Sequence, residues 1–303
     1  MPSPQSDALR ARFLAMAARK AANPEMDLPT MRDMQEALHL ETAEPEGVSY
    51  AEVSAGGVPA LWCQPDGAVS DRVLLYLHGG GFVTNSMHSH RKLAAHVAKA
   101  AGVRALVLDY RLAPEHPFPA QLEDAVAAYR WLLAQGLRAE HIATAGDSAG
   151  GNLATSVVLK LREEGEPLPA AIVGFSPWYD LECLGKTLDT NAATDVLVQR
   201  AELEMLVPMF LGENGSPSDP LANPLRADPT GLPPMFLTAG DHETLQDDAE
   251  RFAEQATAAG VDVTVEIAPG MQHIYPLMAG RAPEADAVIA GVAAWVRPKL
   301  GLG

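Results

Sequence analysis

The chain has 303 residues, enough for one large core with a small accessory layer. Hydrophobic residues make up 48% of it and charged ones 20%, ordinary values that exclude disordered and collagen-like classes. A net charge of −17 argues against nucleic acid, whose phosphates it would repel, and against docking on anionic lipid.

Residues 1–45 predict two short amphipathic helices, one carrying Leu9, Phe13 and Met16, the other Met31, Met34 and Leu38. No apolar stretch there suits a signal peptide, and no run in the chain approaches membrane-spanning length. Cys63 and Cys183 are far apart and lack metal-ligand spacing, so two buried, unpaired thiols in a reducing compartment are expected. The chain reads as soluble and cytoplasmic.

From about residue 48, strand-like and helix-like segments alternate. Residues 48–54 and 58–64, joined by Ala55-Gly56-Gly57, read as a hairpin. Further strands are predicted at 73–77, 103–109, 141–145, 170–176, 235–239 and 263–267. Several are continuous apolar runs, such as Val-Leu-Leu-Tyr-Leu at 73–77, which favours a parallel sheet covered on both faces. Helices are predicted at 91–101, 119–135, 152–162, 247–259 and 283–296, three of them ending at Gly102, Gly136 and Gly260. This is an α/β pattern. Residues 177–234 break it with many prolines and one helical stretch near 201–211, which Pro208 should end or kink. An insertion of this length reads as a lid over a pocket, with a surface elaboration as the alternative.

His78-Gly79-Gly80-Gly81-Phe82 directly follows the strand at 73–77. Consecutive glycines let backbone N–H groups approach a ligand, and such donors stabilise the oxyanion of acyl transfer. A plain loop is the alternative. Gly146-Asp147-Ser148-Ala149-Gly150-Gly151 fits G-x-S-x-G between a buried strand and a helix, where a sharp turn exposes a serine hydroxyl. The competing reading makes Ser148 an ordinary helix N-cap. His273 stands in the loop after the last strand, in Pro269-Gly270-Met271-Gln272-His273. A neutral imidazole can take the Ser148 proton and return it to a leaving group.

These blocks, with Asp109-Tyr110-Arg111-Leu112-Ala113-Pro114-Glu115-His116-Pro117-Phe118-Pro119, resemble the hormone-sensitive-lipase-like esterases, also called family IV. The likeness runs from about residue 45 to the C-terminus. Around Ser176-Pro177-Trp178-Tyr179-Asp180-Leu181 it is similar to monoterpene lactone hydrolases and acetyl-hydrolases of the family. The resemblance implies an α/β-hydrolase fold with a mostly parallel eight-stranded sheet, helices on both faces and a helical cap. It divides the chain into N-terminal cap helices (1–45) and a catalytic domain (46–303) with the insertion at about 177–234. It implies a serine carboxylesterase acting on short- to medium-chain acyl esters, with Ser148 as nucleophile, His273 as base and backbone donors at Gly80, Gly81 and Ala149. The family acid aligns with Glu243, and Asp241, just after the strand, is the alternative. No cofactor or metal is expected, because nucleophile, base and donors complete acyl transfer.

The expected partner is a small-molecule ester, not nucleic acid or membrane, and the family suggests a homodimer through the edge strand at 263–267. Lactone hydrolysis and amidase activity on the same triad stay open. A non-catalytic receptor relative is disfavoured because it would lack the late histidine. Asp109, Arg111 and Glu115 are expected to form one polar cluster beneath the site, with Asp124 and Asp147 also structural. Phe82, Met87, Trp178, Tyr179, Leu206, Phe210, Ile274 and Tyr275 are candidates for an apolar acyl pocket, each equally suited to the core.

Overall fold

Alternate residues of a strand face opposite ways, and in the strand β3 (Val69–Leu77) both ways lead into a core. Val73, Leu75 and Leu77 enter one hydrophobic cluster, while Leu74 and Tyr76 enter the other. Each side chain of this size contributes about 1.5–3 kcal/mol when fully buried. The computed structural model, which describes residues 2–23 and 25–303, sets β3 near the middle of one sheet. Its other strands are β1 (Val48–Ala55), β2 (Val58–Pro65), β4 (Val103–Leu108), β5 (Ile142–Asp147), β6 (Ala171–Phe175), β7 (Met235–Gly240) and β8 (Val263–Ala268). Their order is β1-β2-β4-β3-β5-β6-β7-β8. β2 is antiparallel to β1 and β4, and the remaining neighbours are parallel.

Helices α3 (Met87–Ala101) and α9 (Pro283–Lys299) cover one face. On the other lie α4 (Ala120–Ala134), α5 (Ala149–Glu163) and α8 (Gln246–Ala258). The chain precedes β1 with α1 (Pro4–Ala22) and α2 (Leu28–Glu36). Between β6 and β7 it forms α6 (Thr187–Thr190) and α7 (Arg200–Leu211).

Every predicted strand is present within a few residues. The helices differ more. α1 spans 19 residues rather than a short helix, because Ser3 caps it and Leu9, Phe13 and Met16 are buried along its length. α3 starts a turn before residue 91, where Ser86 and Ser89 form a reciprocal capping box. α7 is not ended by Pro208 and continues to Leu211. Proline there removes one late hydrogen bond, and the burial of Phe210 and Leu211 outweighs that loss.

Long polar ties fix the N-terminal helices. Arg32 of α2 donates from Nε to the Val83 carbonyl (2.8 Å) and from Nη2 to the Ala113 carbonyl (3.0 Å), while pairing with Glu115 at 2.7 Å. At the start of α1, the Ser3 amide and the Ser3 and Ser6 hydroxyls all donate to Glu284 of α9.

Candidate active site

β5 ends at Asp147 and α5 begins at Ala149, leaving Ser148 alone at the turn with φ 52° and ψ −123°. A positive φ strains a non-glycine residue, so the surroundings must enforce it. The Ser148 amide donates to the Phe175 carbonyl (2.9 Å), and its carbonyl accepts from Asn152 and Trp178 (3.1 and 3.0 Å). A side chain on Gly146 would run into the Gly150 carbonyl, so the turn closes only with glycine there. The Ser148 hydroxyl makes no capping bond and faces a cleft, against the N-cap alternative.

Gly80 and Gly81 border the same cleft, with φ of 114° and 62°. The Gly80 carbonyl turns away to accept from Val83 and Thr84 (3.1 and 3.0 Å). Among the described residues, the amides of Gly80, Gly81 and Ala149 donate to no protein acceptor. Free N–H groups around a serine hydroxyl can receive a developing oxyanion. Behind them, buried Asp147 accepts from Tyr76 Oη (2.8 Å) and meets His90 Nε2 (3.1 Å). Its charge is favoured there: burial pushes its pKa up, but His90 and Tyr76 bring it below the ordinary value. His78 stacks on Tyr110 with ring centres 4.2 Å apart, and burial lowers its pKa to about 3, so it is neutral.

His273 is 2% exposed and lines the cleft with Ser148. Its Nδ1 lies 3.5 Å from Oε2 of fully buried Glu243, longer than a good hydrogen bond. Burial lowers the imidazole pKa, but Glu243, followed by the charges of Asp195 and Asp147, outweighs it, and the net shift is upward. Glu243 is held in turn by Ser176, which donates from Oγ to Oε2 (2.7 Å) and accepts from the Ile274 amide (3.1 Å). Asp241 faces elsewhere. Its side chain is 42% exposed and accepts from the Gly270 amide at 2.5 Å.

The chain is similar to several known proteins. The alpha/beta hydrolase fold family matches residues 74–277. An acetyl-hydrolase from Streptomyces hygroscopicus is 42% identical over 251 residues, 83% of each chain, and an esterase from Acinetobacter venetianus 33% over 226 residues, 75% of each. The crystal structure of an esterase from the bacterial hormone-sensitive lipase family matches with a TM-score of 0.93 and 43% identity, over 99% of this chain and 100% of the other. This chain belongs to the hormone-sensitive-lipase-like esterases.

The esterase holds about 650 Å³ of space in the cleft, part of it open to solvent. Of the expected lining residues, Trp178, Leu206 and Ile274 are there. Phe82, Met87, Tyr179, Phe210 and Tyr275 are not, and belong to the core. Their partners explain why: Phe82 stacks on Phe210 (3.7 Å between centres), and the hydroxyls of Tyr179 and Tyr275 meet Thr155 and Thr238. Apolar wall residues that sequence patterns missed include Met31 and Leu38 before β1, Leu197, Val198 and Leu203 before β7, and Leu245 after it.

The expected Asp109–Arg111–Glu115 cluster does not form. Asp109 accepts from the Met87 amide, Arg111 pairs with Asp124 (2.7 Å), and Glu115 pairs with Arg32. Positions along an extended loop face different neighbours, which separates the three. Ser176 was missed as a site residue; its place at the C-terminal end of a parallel strand, where α/β folds gather ligands, was the available signal. Among the described residues, no group of His, Cys, Asp or Glu side chains is arranged to hold a metal ion. Likewise no helix is long and apolar enough to cross a membrane.

Proposed function

We propose that the esterase hydrolyses short- to medium-chain acyl esters through an acyl-enzyme on Ser148. His273 is the base, Glu243 its carboxylate partner, and Gly80, Gly81 and Ala149 the oxyanion donors. The supporting observation is that a buried imidazole, 3.5 Å from a buried carboxylate, lines the cleft that an uncapped serine hydroxyl faces. Nδ1 of His273 faces Glu243, which leaves Nε2 for the serine. Ser148 Oγ bonds to the ester carbonyl carbon as its proton passes to Nε2, and the carbonyl electron pair moves onto oxygen among the three amides. The C–O bond then breaks, and the alcohol departs with the proton from His273. Water repeats the sequence on the acyl-enzyme, releasing the acid and restoring Ser148.

The acetyl-hydrolase relative supports the short end of the acyl range. We read residues 1–45 and 177–234 as a two-part cap, since both supply walls of the cleft. Buried, unpaired Cys63 and Cys183 fit a reducing cytoplasm. The test is a panel of acyl esters of rising chain length, with a lactone and an anilide, assayed on the wild type and Ser148→Ala. Activity should be highest on short and medium esters and fall by at least ~10³-fold in the variant, and a fluorophosphonate should label Ser148. Undiminished turnover in Ser148→Ala, or no labelling, would refute the nucleophile.

A further inference from the structure

Between α6 and α7 the chain crosses the rim of the cleft, and Asp195 lies buried in that crossing, 3% exposed. Its Oδ1 accepts from the amides of Leu197 and Val198, both at 2.8 Å. Its Oδ2 accepts from the Thr244 amide (2.7 Å) and the Thr244 hydroxyl (3.1 Å). Donors on both oxygens match the ionised carboxylate, the usual condition for burying one without a cation. Leu197 and Val198 are walls of the cleft, and Thr244 directly follows Glu243. The base side is stitched to the same segment. Gln272, next to His273, accepts from the Val196 amide (3.2 Å) and donates to the Thr194 carbonyl (3.0 Å). Asn191 adds donations to the carbonyls of Asp241 and Glu243.

We propose that Asp195 is a positioning residue for the His273–Glu243 pair, locking it in register with the cleft wall formed by Leu197 and Val198. The inference rests on the triad reading above. Charged groups bear on His273 from three elements: Glu243 from the loop after β7, Asp195 from the crossing, and Asp147 from the end of β5. All are negative and favour imidazolium. The base works as neutral imidazole, so removing one charge moves the acid limb of kcat/KM to lower pH.

Asp195→Asn tests this directly. The amide can keep an oxygen for Leu197 and Val198, but it then turns a donor toward the Thr244 amide. The expected result is a folded protein whose kcat on a short ester falls about tenfold to a hundredfold with little change in KM, and whose acid limb lies at lower pH. A purely structural role would lower the melting temperature and leave the limb in place. A folded variant with unmoved limb and unchanged kcat therefore overturns the proposal. Should Asp195→Asn not fold, Gln272→Leu cuts the stitches on the base side, and an unchanged kcat there overturns it equally. Ser148→Ala and His273→Ala run in the same assay separate the two readings. Activity in either removes the triad, whereas inactivity in both, with Asp195→Asn like wild type, removes only the role of Asp195.

Discussion

Glu243 and Asp241 share one loop, yet one carboxylate is sealed against His273 and the other is half exposed against the Gly270 amide. Glu243→Gln keeps the shape but cannot stabilise an imidazolium, so kcat on a short ester should fall by ~10²–10⁴-fold. Asp241→Asn retains an oxygen for Gly270 and should stay within about threefold. The reverse outcome would reassign the acid. Glu243 also holds the His273 pKa up against burial, so the acid limb in Glu243→Gln should move to lower pH in the same measurement. That Ser148, His273, Gly80 and Gly81 would border one cleft was legible because each stands in a short local motif at the end of a strand. Ser176 was not. Its contact with Glu243 depends on a backbone turned to φ 48° after β6, and no neighbouring residue type announces that turn.

At the scale of elements, α7 is joined to the glycine loop by an aromatic stack. Phe82 follows Gly81 and is itself held at φ 64°, with Phe210 stacked on one side and Trp178 6.1 Å away on another. The Phe118 amide donates to the Phe210 carbonyl at 2.7 Å, closing the same joint. A Cβ on Gly81 would lie 2.7 Å from Leu206 Cδ1, so the helix also crowds the loop directly. Phe210→Ala should cost about 3–5 kcal/mol in urea unfolding and lower kcat more than it raises KM, because a loosened loop misaligns its amides. Equal stability, or a change confined to KM, would count against this joint. Strands were legible because sheets covered on both faces need uninterrupted apolar runs. The membership of core and cleft was not, since Phe82 and Leu206 differ in partner rather than in kind.

Across the whole molecule, Asp248 makes stability depend on pH. Burial raises its carboxyl to about 7, although the amides of Tyr179 and Asp180, each at 2.8 Å, favour the charge. The folded state therefore prefers the protonated form. Stability from this group declines as pH rises from its ordinary value of 3.8 to about 7, and is level above that. Asp248→Asn keeps an acceptor and buries no charge, so its melting temperature relative to wild type should climb between pH 4 and 7. A difference that stays flat would show that the carboxylate is better solvated than its burial implies. The layered architecture and the parallel sheet were readable from the alternation of segments alone, whereas ties between distant helices were not, because surface serines and arginines carry no periodicity.

One such tie orders events in time. Helix α1 buries Leu9, Phe13 and Met16 in a cluster shared with α9, and its first turn is fastened to Glu284. On a ribosome, α1 is made well before α9 and must wait for that helix before its seat exists. Until then the nascent protein carries an unsheltered apolar stripe.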